Sequence, residues 1–125
     1  MSITEILRKQ FDSAGVGQIE ISKNMTCSIL GAEYEIIEKL LEENDGVCNF
    51  YDKTIMIRPI SGMLDETHPI HEKKSRYEEV LRHELIHAFL YESGADEYAR
   101  DEQLVDILSI QFPKIICVMD ELSIL

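Results

Sequence analysis

The segment Arg82-His83-Glu84-Leu85-Ile86-His87-Ala88 has the form H-E-x-x-H, and each of its polar members suits one task. Side chains four residues apart on a helix stack on one face a turn apart, so His83 and His87 would present two imidazoles to one point. Two such rings are a suitable pair of ligands for zinc. Glu84 follows the first histidine directly and therefore lies on the rim of the same face. From there it can take a proton from a water at the metal without itself being a ligand, which is what a general base must do. The alternative is a pair of unrelated core or surface histidines. The chain has only 4 histidines, and finding two at this spacing with a glutamate between them fits accident poorly.

A tetrahedral catalytic zinc needs a third protein ligand and an open fourth position. Beyond a helix stop at Ser93-Gly94 comes Asp101-Glu102-Gln103-Leu104-Val105-Asp106, where Glu102 and Asp106 again stand four apart on one helical face. Glu102 is assigned as the third ligand, and Asp106 as the acceptor for the free ring N–H of a ligand histidine. A solvated acidic face is the competing reading. Glu97 and Asp101 are rival carboxylates, but Glu97 fits a favourable helix-start charge and Asp101 is rotated away with a shorter reach.

His83-Glu84-x-x-His87 followed by Glu102-x-x-x-Asp106 resembles the gluzincin branch of the zincin metallopeptidases. The resemblance covers residues 75–113 and implies a zinc peptidase with Glu84 as base. Over residues 81–94 the chain also looks similar to small phage- and prophage-encoded zincin-like proteins, neighbours of the SprT-like and ImmA/IrrE-like groups. No glycine-histidine extension of the metzincin type follows His87, which disfavours a third histidine ligand.

The elements that must position these groups read as α+β: a compact zincin-like domain with a small antiparallel or mixed sheet packed on the H-E-x-x-H helix, and a second ligand-bearing helix. Residues 1–125 suffice for one domain with a core of its own. Residues 2–13 read as a short amphipathic helix and residues 18–22 as a half-buried strand. Ile36, Ile37, Leu40 and Leu41 recur at helical spacing, so residues 32–44 are expected to form a packing helix stopped by Asp45-Gly46. Residues 47–51 and 54–60 are β-prone runs joined by Asp52-Lys53, hence a hairpin. Pro59 puts the end of the second strand at a sheet edge or outside the sheet. By the resemblance, residues 54–58 would hold an extended peptide by strand addition.

Residues 61–74 read as a polar loop, in which His68 and His71 are taken as solvated. Ser75 and Glu78, in capping-box spacing, would start the site helix. Tyr77, Leu81, Leu85 and Ala88 would face the core, with Gly94 as the left-handed cap. The second site helix is expected from Ala95 or Asp96 to Gln111, ending at Pro113, with a last helix in the tail. Tyr91 and Tyr98 could stabilise an oxyanion, but packing is the expected role for both.

Composition bounds the function further. Lys and Arg number 12 against 24 Asp and Glu, a formal net charge of -12, which argues against a nucleic-acid partner. No apolar run is long enough for a membrane span and no leader is evident, so a cytoplasmic protein is expected. The 3 cysteines have no C-x-x-C spacing and read as buried reduced thiols. A peptide or protein substrate and bound Zn²⁺ complete the expectation; the oligomeric state is not legible. Two rivals stand beside it: an inactive zincin-fold binding or regulatory protein with structural zinc, and an acidic inhibitor of a basic groove.

Overall fold

Alternating side chains, more than helical ones, organise residues 25–57. The computed structural model describes residues 25–125, so the helix expected at 2–13 and the strand at 18–22 lie outside the described residues. Strand β1 (Met25–Ile29) pairs antiparallel with β2 (Ala32–Glu38), with Cys27 opposite Tyr34. The two-residue connection has positive φ at both positions, 51° at Leu30 and 89° at Gly31, the backbone hand that matches strand twist.

The helix expected over residues 32–44 is therefore corrected to a strand and an irregular connection. Tyr34 and Ile36 are buried in alternation with Glu33 and Glu35, a period of two, while Leu40 of the supposed helical stripe is 74% exposed. The adjacent pair Ile36-Ile37 satisfies either period, and β-branching favours the strand.

The hairpin is present: β3 (Gly46–Asn49) pairs antiparallel with β4 (Thr54–Ile57). The sheet is mixed, in the order β1-β2-β4-β3, with β2 and β4 parallel. Pro59 lies outside the sheet, at the start of a 3-10 turn, Ile60–Gly62, as its missing donor requires. The expected edge is corrected, however. β4 is interior, and β3 is the edge strand that reaches the site.

Helix α1 (Ile70–Glu92) starts five residues before the Ser75 capping box, after Pro69, and packs on one face of the sheet. Its Tyr77, Val80, Leu81 and Ala88 meet Ile29, Tyr34, Ile36, Ile55 and Ile57 in the core, with Leu85 at its margin. Each fully buried aliphatic side chain contributes on the order of 1.5–3 kcal/mol. Polar ties hold the helix ends. The Tyr77 hydroxyl donates to Glu38 at 2.9 Å, Arg76 reaches Asp45 through Nε and Nη2 at 3.0 and 2.9 Å, and Tyr34 and Lys53 both donate to Glu92 at 2.7 Å. Gly94, at φ 88°, closes the helix; the Gly94 and Ala95 amides donate to the Tyr91 and Leu90 carbonyls, a Schellman ending.

The second site helix is corrected at both ends. A single turn, α2 (Asp96–Ala99), is separated from α3 (Glu102–Glu121) by Arg100 and the N-cap Asp101, whose carboxylate accepts from the Leu104 amide at 3.1 Å. Pro113 does not end α3, which continues through it, so the tail helix is the same helix. An interior proline costs about 3 kcal/mol or more unless its freed carbonyl finds a donor. Among the described residues no helix is long and apolar enough to cross a membrane.

Candidate metal centre

α1 runs along one wall of a cleft of about 560 Å³, with β3 on the other side and the start of α3 above it. His83, Glu84 and His87 form the cluster of metal-binding type found among the described residues, with one ligand atom from each lying within 4.8 Å of the others. The Glu102 carboxylate also comes to the two rings. Its Oε2 lies 3.1 Å from His83 Nε2 and its Oε1 3.2 Å from His87 Nε2, while the two Nε2 atoms are 3.1 Å apart. A tetrahedral site with bonds of about 2.0–2.1 Å has ligand–ligand edges of roughly 3.3–3.4 Å, close to the 3.1 Å between the two Nε2 atoms.

The far side of each ring is equally defined. His83 Nδ1 lies 3.0 Å from Asp106 Oδ1, and His87 Nδ1 lies 2.5 Å from the carbonyl oxygen of Ala99. Both partners are acceptors, so in the neutral rings Nδ1 carries the hydrogen and Nε2 keeps the lone pair that faces the centre. The α2–α3 break accounts for both contacts. α2 delivers the Ala99 carbonyl, and the Asp101 cap sets Glu102 at the first position of α3, one turn before Asp106.

Glu84 is 6% exposed and lines the cleft. Burial raises its carboxyl above the ordinary range, and the nearby Glu102 and Asp106 carboxylates push it the same way. Beside it, Gly46 opens the edge strand. Cys48 also lines the cleft, and burial, together with the Glu84 charge, pushes its thiol up to about 12. Cys48 and Cys27 are half-buried while Cys117 is exposed, which corrects the expectation of three buried thiols.

At the far end of the cleft Phe50 stacks parallel on Tyr91 with ring centroids 4.3 Å apart, and its edge meets His87 at 6.5 Å. Tyr91 thus packs, whereas Tyr98 is exposed and packs less than expected. Asp101 is committed to its cap, and Glu97 stands in the first turn of α2. His68 pairs with Glu72 at 2.8 Å, and His71 lies in the first turn of α1 instead of the loop.

Sequence reasoning missed the Ala99 carbonyl and the role of Gly46. A backbone acceptor has no residue-type signal, and Asp45-Gly46 read equally well as a helix stop. Compared with models of known protein families, with curated proteins and with solved structures, the chain matches none.

Proposed function

We propose that the chain is a zinc-dependent peptidase, with the metal held by His83 Nε2, His87 Nε2 and the Glu102 carboxylate and with Glu84 as general base. The observation that supports it most is the triangle of 3.1, 3.1 and 3.2 Å between those three groups. Glu84 could compete as third ligand, since it belongs to the same cluster. Glu102 is preferred because its two oxygens face both Nε2 atoms. Bound there, zinc supplies a Lewis acid that polarises a carbonyl and lowers the pKa of a water.

Glu84, raised in proton affinity by burial, would take a proton from the water as its oxygen bonds to the peptide carbonyl carbon, and would give that proton to the amine nitrogen as the C–N bond breaks. Asp106 and the Ala99 carbonyl hold the two rings in the ligand tautomer. β3, the sheet edge beside the cleft, offers main-chain donors and acceptors to an extended peptide, the part the resemblance had given to residues 54–58. On this reading the protein is a small cytoplasmic enzyme of the phage or prophage type acting on a peptide or protein substrate.

Metal analysis of the purified protein combined with a peptide-library cleavage assay tests this against Glu84→Gln. The expected result is zinc retained by both proteins and cleavage lost by roughly 10²–10⁴ in the variant. Equal cleavage by the variant removes Glu84 from the reaction, and a parent that holds no zinc removes the site. Zinc without any cleavage by the parent favours the binding-module reading, in which the metal is structural.

A further inference from the structure

Pro113 carries no N–H, so the carbonyl of Ser109, four residues earlier in α3, loses its helical donor. Ser109 is 1% exposed, and an acceptor so placed needs a partner from elsewhere. That partner comes from the site helix: Arg82 Nε donates to the Ser109 carbonyl at 3.2 Å. The Ser109 hydroxyl donates in turn to the Asp106 carbonyl at 2.9 Å, and Asp106 Oδ1 faces His83 Nδ1 at 3.0 Å. His83 adjoins Arg82 in sequence, so the contacts close into a ring joining α1 to α3 behind the metal centre.

We infer that Arg82 is a positioning residue, whose guanidinium replaces the N–H missing at Pro113 and thereby holds Glu102 against the two histidines and Asp106 against His83. The inference rests on the metal-site reading for its consequence, but the clamp itself is a contact between two helices. Two features make it more than a surface arginine. The acceptor it serves is created by one particular residue, Pro113, and the served helix carries two of the site's carboxylates, Glu102 and Asp106, within its first five residues. A guanidinium suits the task because its planar, permanently charged fork can hold Nε on a carbonyl from a fixed direction.

A double-mutant cycle of Arg82→Met and Pro113→Ala tests it, since alanine restores the helical donor to the Ser109 carbonyl. The readouts are zinc affinity, by competition with a chromogenic chelator, and the urea midpoint of chelator-treated protein. Arg82→Met is expected to weaken zinc binding by roughly tenfold or more, the size of effect typical of groups that orient ligands from behind. In the Pro113→Ala background the same change is expected to cost less than about threefold, and the unfolding midpoints should be non-additive in the same sense.

Arg82→Lys, which keeps a donor, should retain more affinity than Arg82→Met and serves as the comparison if the methionine variant does not fold. An equal loss in both backgrounds, or no loss in either, overturns the clamp. Failure of the parent to bind zinc overturns the site reading instead, and additive midpoints in that case overturn the clamp as well.

Discussion

Gly46, the first residue of edge strand β3, sits directly against Glu84: a Cβ at position 46 would lie 3.1 Å from Glu84 Cγ and 2.7 Å from Val80 Cγ1. The lack of a side chain lets the strand pass close over α1 beside the buried Glu84.

Gly46→Ala is accordingly expected to be destabilising although alanine suits a strand backbone at least as well. The Val80 contact is below what carbon atoms tolerate, so Val80 or the strand must move, at about 1–3 kcal/mol. Urea denaturation measures the cost. Val80→Ala removes the nearest clash but also a buried core side chain, so it should cost less stability in the Gly46→Ala background than in the parent. Stability unchanged by Gly46→Ala would show that the close approach has no consequence.

Asp106 is exposed and bears on the site through the His83 ring. Asp106→Ala should therefore weaken zinc binding by roughly 10–100-fold with little change in folding stability. Calorimetric titration of the metal-stripped protein with zinc reads the first quantity and urea denaturation the second. The corresponding acceptor for His87 is a backbone carbonyl, so side-chain substitution at Ala99 does not remove it. Affinity equal to the parent's would mean that the Asp106 contact does not orient the ring.

The candidate cluster was legible because His83 and His87 lie one turn apart on one helix with Glu84 between them, where spacing translates directly into geometry. Glu102 and Asp106 were legible as a pair for the same reason, yet the boundaries of their helix were not. Asp101 had seemed merely a rival carboxylate, and its role as a cap depends on a break that propensity does not announce. Pro113 was read as a helix end, and α3 nevertheless runs through it, because the donor that serves the freed Ser109 carbonyl comes from Arg82 on another element, which local sequence does not announce. The β1–β2 hairpin was obscured by Leu30, which occupies a turn position where asparagine or glycine would have marked it, and by Ile36-Ile37, which fits both periodicities.

Leu30 is a site of strain that can be relieved. It holds φ 51°, is 61% exposed, and precedes Gly31 in a turn that favours Asn-Gly. Left-handed backbone costs an ordinary L-residue about 1–2 kcal/mol, less for asparagine, whose short amide tolerates the region. Leu30→Asn should raise stability by about 0.5–1 kcal/mol, which scanning calorimetry would register as a Tm higher by a few degrees. An unchanged or lower Tm would mean that the exposed leucine makes contacts worth as much as the strain.

Glu92 predicts the sign of one contribution to acid stability. The hydrogen bond from Lys53, then that from Tyr34, holds its carboxyl below the ordinary carboxylate range. A carboxyl whose pKa is lower folded than unfolded stabilises the fold fully above its unfolded value, near 4.3. That contribution is lost as pH falls through the lower folded value. Glu38 acts in the opposite direction, because burial raises its carboxyl despite the Tyr77 hydrogen bond, so the protein's total pH dependence does not isolate Glu92. The difference between parent and Glu92→Gln does. Urea midpoints measured from pH 7 down to pH 3 should show the parent's advantage shrinking on acidification, because the glutamine cannot titrate while Lys53 and Tyr34 remain. A constant gap across that range would mean that the ion pair contributes no proton-linked stability, and the tie between the end of α1 and the sheet would then rest on packing alone.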